Sequence, residues 1–171
     1  MNIGLAIFTL VHVAISLVAI GSGLVVLYGL LKASRFDGWT VIFLSTTVAT
    51  SVTGFLFPVH HFMPSHAVGI VSLIALSTAI FARYRRHLAG RWRPVYVISA
   101  MFSLYLNVFV LIAQLFMKVP ALKSLAPTGS EPPFAISQLA VVVLFVVLTF
   151  VAVVRFRAEL LWPDRMSVPV G

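Results

Sequence analysis

The chain has 171 residues, 61% of them hydrophobic and only 9% charged, against roughly a quarter charged in an ordinary soluble domain. A water-soluble fold of this size cannot hide so much apolar surface, so lipid must solvate part of it. The net charge of +8 comes from 12 basic residues set against 4 acidic ones. With no aromatic-basic interleaving and no nucleic-acid motif, loop topology explains that excess better than nucleic acid does. The absence of cysteine excludes disulfides, thiolate metal sites and cysteine nucleophiles.

Crossing a hydrocarbon core of about 30 Å at 1.5 Å per residue takes about 20 apolar residues. Five runs of that kind are predicted, at 3–31, 40–57, 66–84, 94–117 and 135–156. Each must be helical, because backbone groups find no water partners in lipid. The first run has no basic leader and far exceeds the roughly 7–15-residue core of a signal peptide, so it reads as a retained span. The second closes at Pro58, and the third is short and rich in small polar residues. The expected fold is all-α: a single integral membrane domain over 1–171, a bundle of about five transmembrane helices.

Lysine and arginine concentrate in cytoplasmic connections. One side of the predicted bundle collects ten of them: Lys32 and Arg35, five arginines between Arg83 and Arg93, and Arg155, Arg157 and Arg165. The other side holds only Lys118 and Lys123. With five spans, this puts the N-terminus outside and the C-terminus in the cytoplasm, as expected in a bacterial inner membrane. The Arg83–Arg93 segment would lie against anionic headgroups and needs no role beyond setting topology. The outer loop 118–133 carries Pro120, Pro127, Pro132 and Pro133, so it is stiff and not helical throughout. It is either a lid over the outer helix ends or a plain linker. The tail 157–171, with Trp162, is expected at the cytoplasmic interface. No internal repeat of the transporter kind is visible.

Basic residues also serve as rulers of depth. His12 precedes Lys32 by 20 residues and Gln114 follows Arg93 by 21, about 30 Å of helix in each case. Gln138, 17 residues before Arg155, falls about 4–5 Å below the same outer surface. His60, His61 and His66 flank the outer ends of the second and third spans. In the first span Thr9, His12, Ser16, Ala19 and Gly23 form one small and polar stripe that should face a neighbouring helix. Thr46, Thr50 and Thr53 align in the second span, as do Ser103, Asn107, Gln114 and Lys118 in the fourth. Amides facing lipid are expensive, so Asn107, Gln114, Lys118, Glu131 and Gln138 are expected to furnish a polar pocket in the outer half. Short of the basic residues at their ends, the inner halves of spans one, three, four and five carry hydroxyls and no other polar group, which argues against an ion or proton route.

The segment His60-His61-Phe62-Met63-Pro64-Ser65-His66 places three imidazoles and a thioether on the outer face, with His12 at the same level. Imidazole suits copper, haem iron and zinc, and thioether favours Cu(I); two imidazoles on opposing helices can hold haem b axially. Gly69, one turn after His66, would leave room for a flat macrocycle. The first expectation is therefore a cofactor site for electron transfer or metal handling. It uses His12, His60, His61 and His66 for haem b, or His60, His61, Met63 and His66 for copper. Against it stands a plainer account, in which His12 is a helix–helix hydrogen-bond partner and His60, His61 and His87 are solvated at the interfaces.

Two readings need no cofactor. One is an accessory or assembly subunit of a larger membrane complex, or a homo-oligomer. The other is a quinone- or lipid-binding bundle in which Asn107, Gln114 and Lys118 cradle a headgroup. No serine-histidine-acid set, paired carboxylates, HExxH or phosphate-binding loop is present, so hydrolysis and phosphoryl transfer are not expected. Gly21-Ser22-Gly23 reads as a packing notch. The two histidine pairs of four-helix di-haem cytochromes are missing as well, since no inner pair exists.

Overall fold

The computed structural model describes residues 3–58 and 64–158. His60, His61 and Met63, and the tail residues 159–171 with Trp162, lie outside the described residues. The chain forms α1 (Ile3–Leu31), α2 (Asp37–Gly54), α3 (Pro64–Ile80), α4 (Trp92–Lys118), α5 (Pro120–Leu125) and α6 (Pro132–Ala158), and among the described residues there is no strand. It is a multi-pass membrane helix bundle.

Four helices, α1, α3, α4 and α6, are long and apolar enough to cross a membrane. α2 is the fifth, and geometry rather than composition identifies it. Its first residue, Asp37, pairs with Arg83 at the end of α3, and Thr53 in its last turn meets His12 near the start of α1. It therefore runs from one end of the bundle to the other, about 27 Å for 18 residues. Its apolarity is diluted by serines and threonines that bond backward to their own helix. Thr40, Ser45, Thr46, Thr47 and Thr53 each donate to the carbonyl four residues earlier, which removes most of the cost of placing a hydroxyl in lipid.

Helix boundaries depart from the apolar runs at two places. α2 begins at Asp37, three residues earlier than its run, because a carboxylate in the first turn suits the positive end of the helix. It ends at Gly54, with Phe55 and Leu56 already in a turn. Past Ile80, α3 widens into a π turn over Phe81–Arg85. That turn closes when the Leu88 N–H donates to the Ala82 carbonyl at 3.1 Å, with His87 and Leu88 at positive φ. Leu88 is buried beneath it, and this apolar anchor holds the left-handed backbone in place.

α4 is the hub, packing against α1, α2, α3 and α6, while α6 touches α4 and α1. The core lies toward the arginine end. Tyr96, Val97, Met101 and Leu104 of α4 meet Phe43 of α2, Leu76 of α3 and Phe156 of α6, all essentially fully buried. The opposite half is looser, and α1 buries no residue before Ala19. Gly23 is the notch of the predicted stripe: a Cβ there would stand 2.9 Å from the Phe43 ring and closer still to Leu104. Gly21, on the other side of the helix, faces open space.

Candidate functional site

At the histidine end, His12 lies between α1 and α2. Its Nδ1 is 2.7 Å from the Thr53 hydroxyl oxygen, which is itself 2.7 Å from the Ala49 carbonyl. A hydroxyl has one proton. Giving it to Ala49 lets Thr53 accept from Nδ1–H, so both bonds form at once. That assignment leaves Nε2 of His12 with its lone pair. The Phe57 ring packs edge-on against the imidazole at 5.1 Å.

His66 lies elsewhere. Its ring stacks on Phe55, with 5.6 Å between centroids and 16° between planes. Residues two apart on a helix point about 200° apart. Thr53 therefore faces α1, whereas Ser51 faces α3 and donates to Ser72 at 3.2 Å; past the helix end, Phe57 packs on Phe8 and His12 and Phe55 on His66. α2 stands between the two imidazoles, and they do not converge on a common point. Nor is the space above Gly69 open to a macrocycle: a Cβ there would meet the Phe55 ring at 2.9 Å. The glycine admits the phenylalanine instead. Among the described residues no cluster of three or more histidine or carboxylate side chains is arranged to hold a metal.

The five residues expected to form one polar pocket are dispersed. Asn107 donates to the Thr47 hydroxyl at 3.3 Å, joining α4 to α2. Gln138, 8% exposed, donates through Nε2 to the Phe109 carbonyl at 3.1 Å, joining α6 to α4. Gln114 and Lys118 are exposed. Glu131 organises its own loop, accepting from the N–H groups of Thr128 and Ser130 and from the Thr128 hydroxyl. The Thr128 N–H above all holds its carboxyl below the usual glutamate range. The outer loop is partly helical, since Pro120 opens α5 in the first-turn position that needs no N–H. α5 contacts α4, and Ala126, just past its last residue, is buried.

His12, Asn107 and Gln138 are thus stitches between helix pairs, whereas most of the hydroxyls bond back to their own helix. The arginine end follows the same rule with charge. Arg93, 4% exposed, donates to the Phe156 carbonyl at 2.8 Å and lies 5.0 Å over the Phe156 ring. Arg155 donates to the last carbonyl of α1, Leu31, at 3.2 Å. Arg83 joins Asp37 and covers the Tyr96 ring. These arginines do more than set topology: Arg93 and Arg155 neutralise the negative ends of two helices, and Arg83 ties α3 to α2. Composition could not separate them from Arg85, Arg86 and Arg91, which are exposed.

A sizeable cavity among the described residues appears where the sequence offered no polar signal. Between α4 and α6 runs a groove of about 450 Å³, within the range of small-molecule sites. Ile98, Met101, Phe102 and Tyr105 line it from α4, and Val142, Phe145, Val146, Thr149, Phe150 and Val153 from α6. Their spacing is that of one helical face on each side. In sequence they look like any lipid-facing stripe, and only the packing of the two helices side by side turns them into a groove. No protein family, curated protein or solved structure matches the chain.

Proposed function

We propose that this protein is an amphiphile-binding helix bundle of a bacterial inner membrane, with its arginine end toward the cytoplasm. It takes the hydrocarbon chain of a lipid or quinone-type molecule in the groove between α4 and α6. The groove carries this reading: it is apolar along its length, with Thr149 as its one hydroxyl-bearing side chain of aliphatic type, and it lies in the part of the molecule that contacts the bilayer. Apolar burial at roughly 25 cal/mol per Å² makes such a chain a natural occupant only where the groove fits it better than bulk lipid does. Retention through purification is therefore the test. Wild-type protein should keep a stoichiometric amphiphile through delipidating detergent washes, measured by native mass spectrometry. Val146→Trp, at a groove position that is 64% exposed, should lose it without a loss of thermal stability. Equal lipid content in the two proteins would overturn the reading.

A second reading keeps the histidine end in play. His12 has Nδ1 tied to Thr53 and Nε2 left as an acceptor, the pattern by which a hydrogen bond on one ring nitrogen prepares the other for a metal. It would serve as a single imidazole ligand for copper or haem b, and His66 would not be its partner, since α2 separates them. A visible spectrum and metal analysis on one sample test this. A Soret band or bound copper abolished by His12→Ala supports the site, and metal-free, colourless protein rejects it.

A further inference from the structure

Gln138 holds a feature that the stitching of helices does not use. Its Nε2 donates to the Phe109 carbonyl, and only the NH₂ of an amide can donate to a carbonyl. The amide orientation is therefore set, and the other terminal atom is the acceptor Oε1. That oxygen is buried and without a hydrogen-bond partner. An orphan acceptor inside a membrane bundle costs about 1–3 kcal/mol.

Its place in the fold matters. On α6 the groove lining ends at Val142, and Gln138 is one helical turn beyond. On α4 it ends at Tyr105, and Phe109 is one turn beyond. The Gln138–Phe109 stitch thus closes the end of the groove nearer the histidine face. From Gln138 to Val153 is 15 residues, about 22 Å along the helix, enough for a chain running inward from a head near the outer surface. A head that satisfies Gln138 must donate, because the atom left without a partner is the acceptor Oε1.

We propose that the groove takes a long-chain alcohol, an amphiphile whose head is a hydroxyl, with the O–H donating to Gln138 Oε1 and the chain running along α4 and α6 toward Val153. This rests on the amphiphile reading above and sharpens it: a quinol or prenol head fits, whereas a quinone or ether head, which only accepts, leaves Oε1 unmet. An occupant reaching Oε1 passes between Val142 and Tyr105, the last lining residues.

The experiment offers full-length protein equal concentrations of hexadecan-1-ol and its methyl ether, and reads the bound ratio by native mass spectrometry. Wild-type protein should favour the alcohol by about three- to tenfold, the yield of one neutral hydrogen bond. In Gln138→Leu both should still bind, at a ratio near one; Gln138→Met, of the same length, serves if the leucine variant does not fold. Val146→Trp should exclude both. Wild-type protein that binds the two equally overturns the hydroxyl assignment and leaves the groove reading standing. Wild-type protein that binds neither overturns both.

Discussion

The two ends of the bundle are held together by different chemistry. At the arginine end, side chains close to water carry charge inward: Arg93 and Arg155 bond helix-terminal carbonyls, and Arg83 pairs with Asp37. There the core is dense, with Tyr96, Phe43 and Leu104 fully buried. At the histidine end the links are neutral, such as His12 to Thr53 and Gln138 to the Phe109 carbonyl, and much of the surface is only half-buried. A charged hydrogen bond is worth about 1.5–3 kcal/mol, and a neutral one between membrane helices averages about 0.6. Stability should therefore concentrate at the arginine end, leaving the histidine end the more readily opened.

The sharpest way to break that contrast is Arg93→Met, which keeps the apolar stem and removes the donor. It should cost about 1.5–3 kcal/mol, measured by reversible unfolding in mixed micelles, and a cost no larger than that of a histidine-end variant would refute the asymmetry. Gly23→Val tests the packing side of the dense half. The added carbons meet Phe43 and Leu104, so about 1–3 kcal/mol should be lost, while Gly21→Val, facing open space, should stay within about 0.5.

Thr53→Val removes the acceptor of the His12 bond. It should cost about 0.6 kcal/mol, and amide exchange should quicken in the first half of α1 but not around Val26. Uniform quickening along α1 would show the two halves unfolding as one unit. The smallest effect concerns Glu131. Its folded carboxyl lies below its ordinary value, chiefly through the Thr128 N–H. The turn 128–131 is therefore favoured at neutral pH, and that contribution disappears as pH falls through the lowered value. Amide exchange at Thr128 and Ser130 should rise in acid, whereas exchange around Arg93 should not. Glu131→Gln should weaken this pH response.

Much of the fold was legible in the chain. The apolar runs located five long helices within a few residues, and the stripe Thr9-His12-Ser16-Ala19-Gly23 pointed to the face of α1 that meets its neighbours. The candidate site was legible only in part. His12, Asn107 and Gln138 were rightly turned inward, but equal depth is not proximity. Angular position about each helix divided His12 from His66 and sent Asn107 and Gln138 to different partners. Thr47 was missed because Thr46, Thr50 and Thr53 made a neater line, and Arg93 because it lies one residue outside its apolar run.

Composition by itself determined that this chain belongs in a bilayer, since the free energy of transferring so many apolar groups does not depend on where they sit in the fold. Spacing by itself determined the helices, because a backbone in lipid must satisfy its own hydrogen bonds. Contact between helices is a matter of rotation and tilt, set by packing over the whole bundle. That is why only the tertiary structure decided that α2 would part the imidazoles, that three arginines would join helices, and that α4 and α6 would form a groove between them.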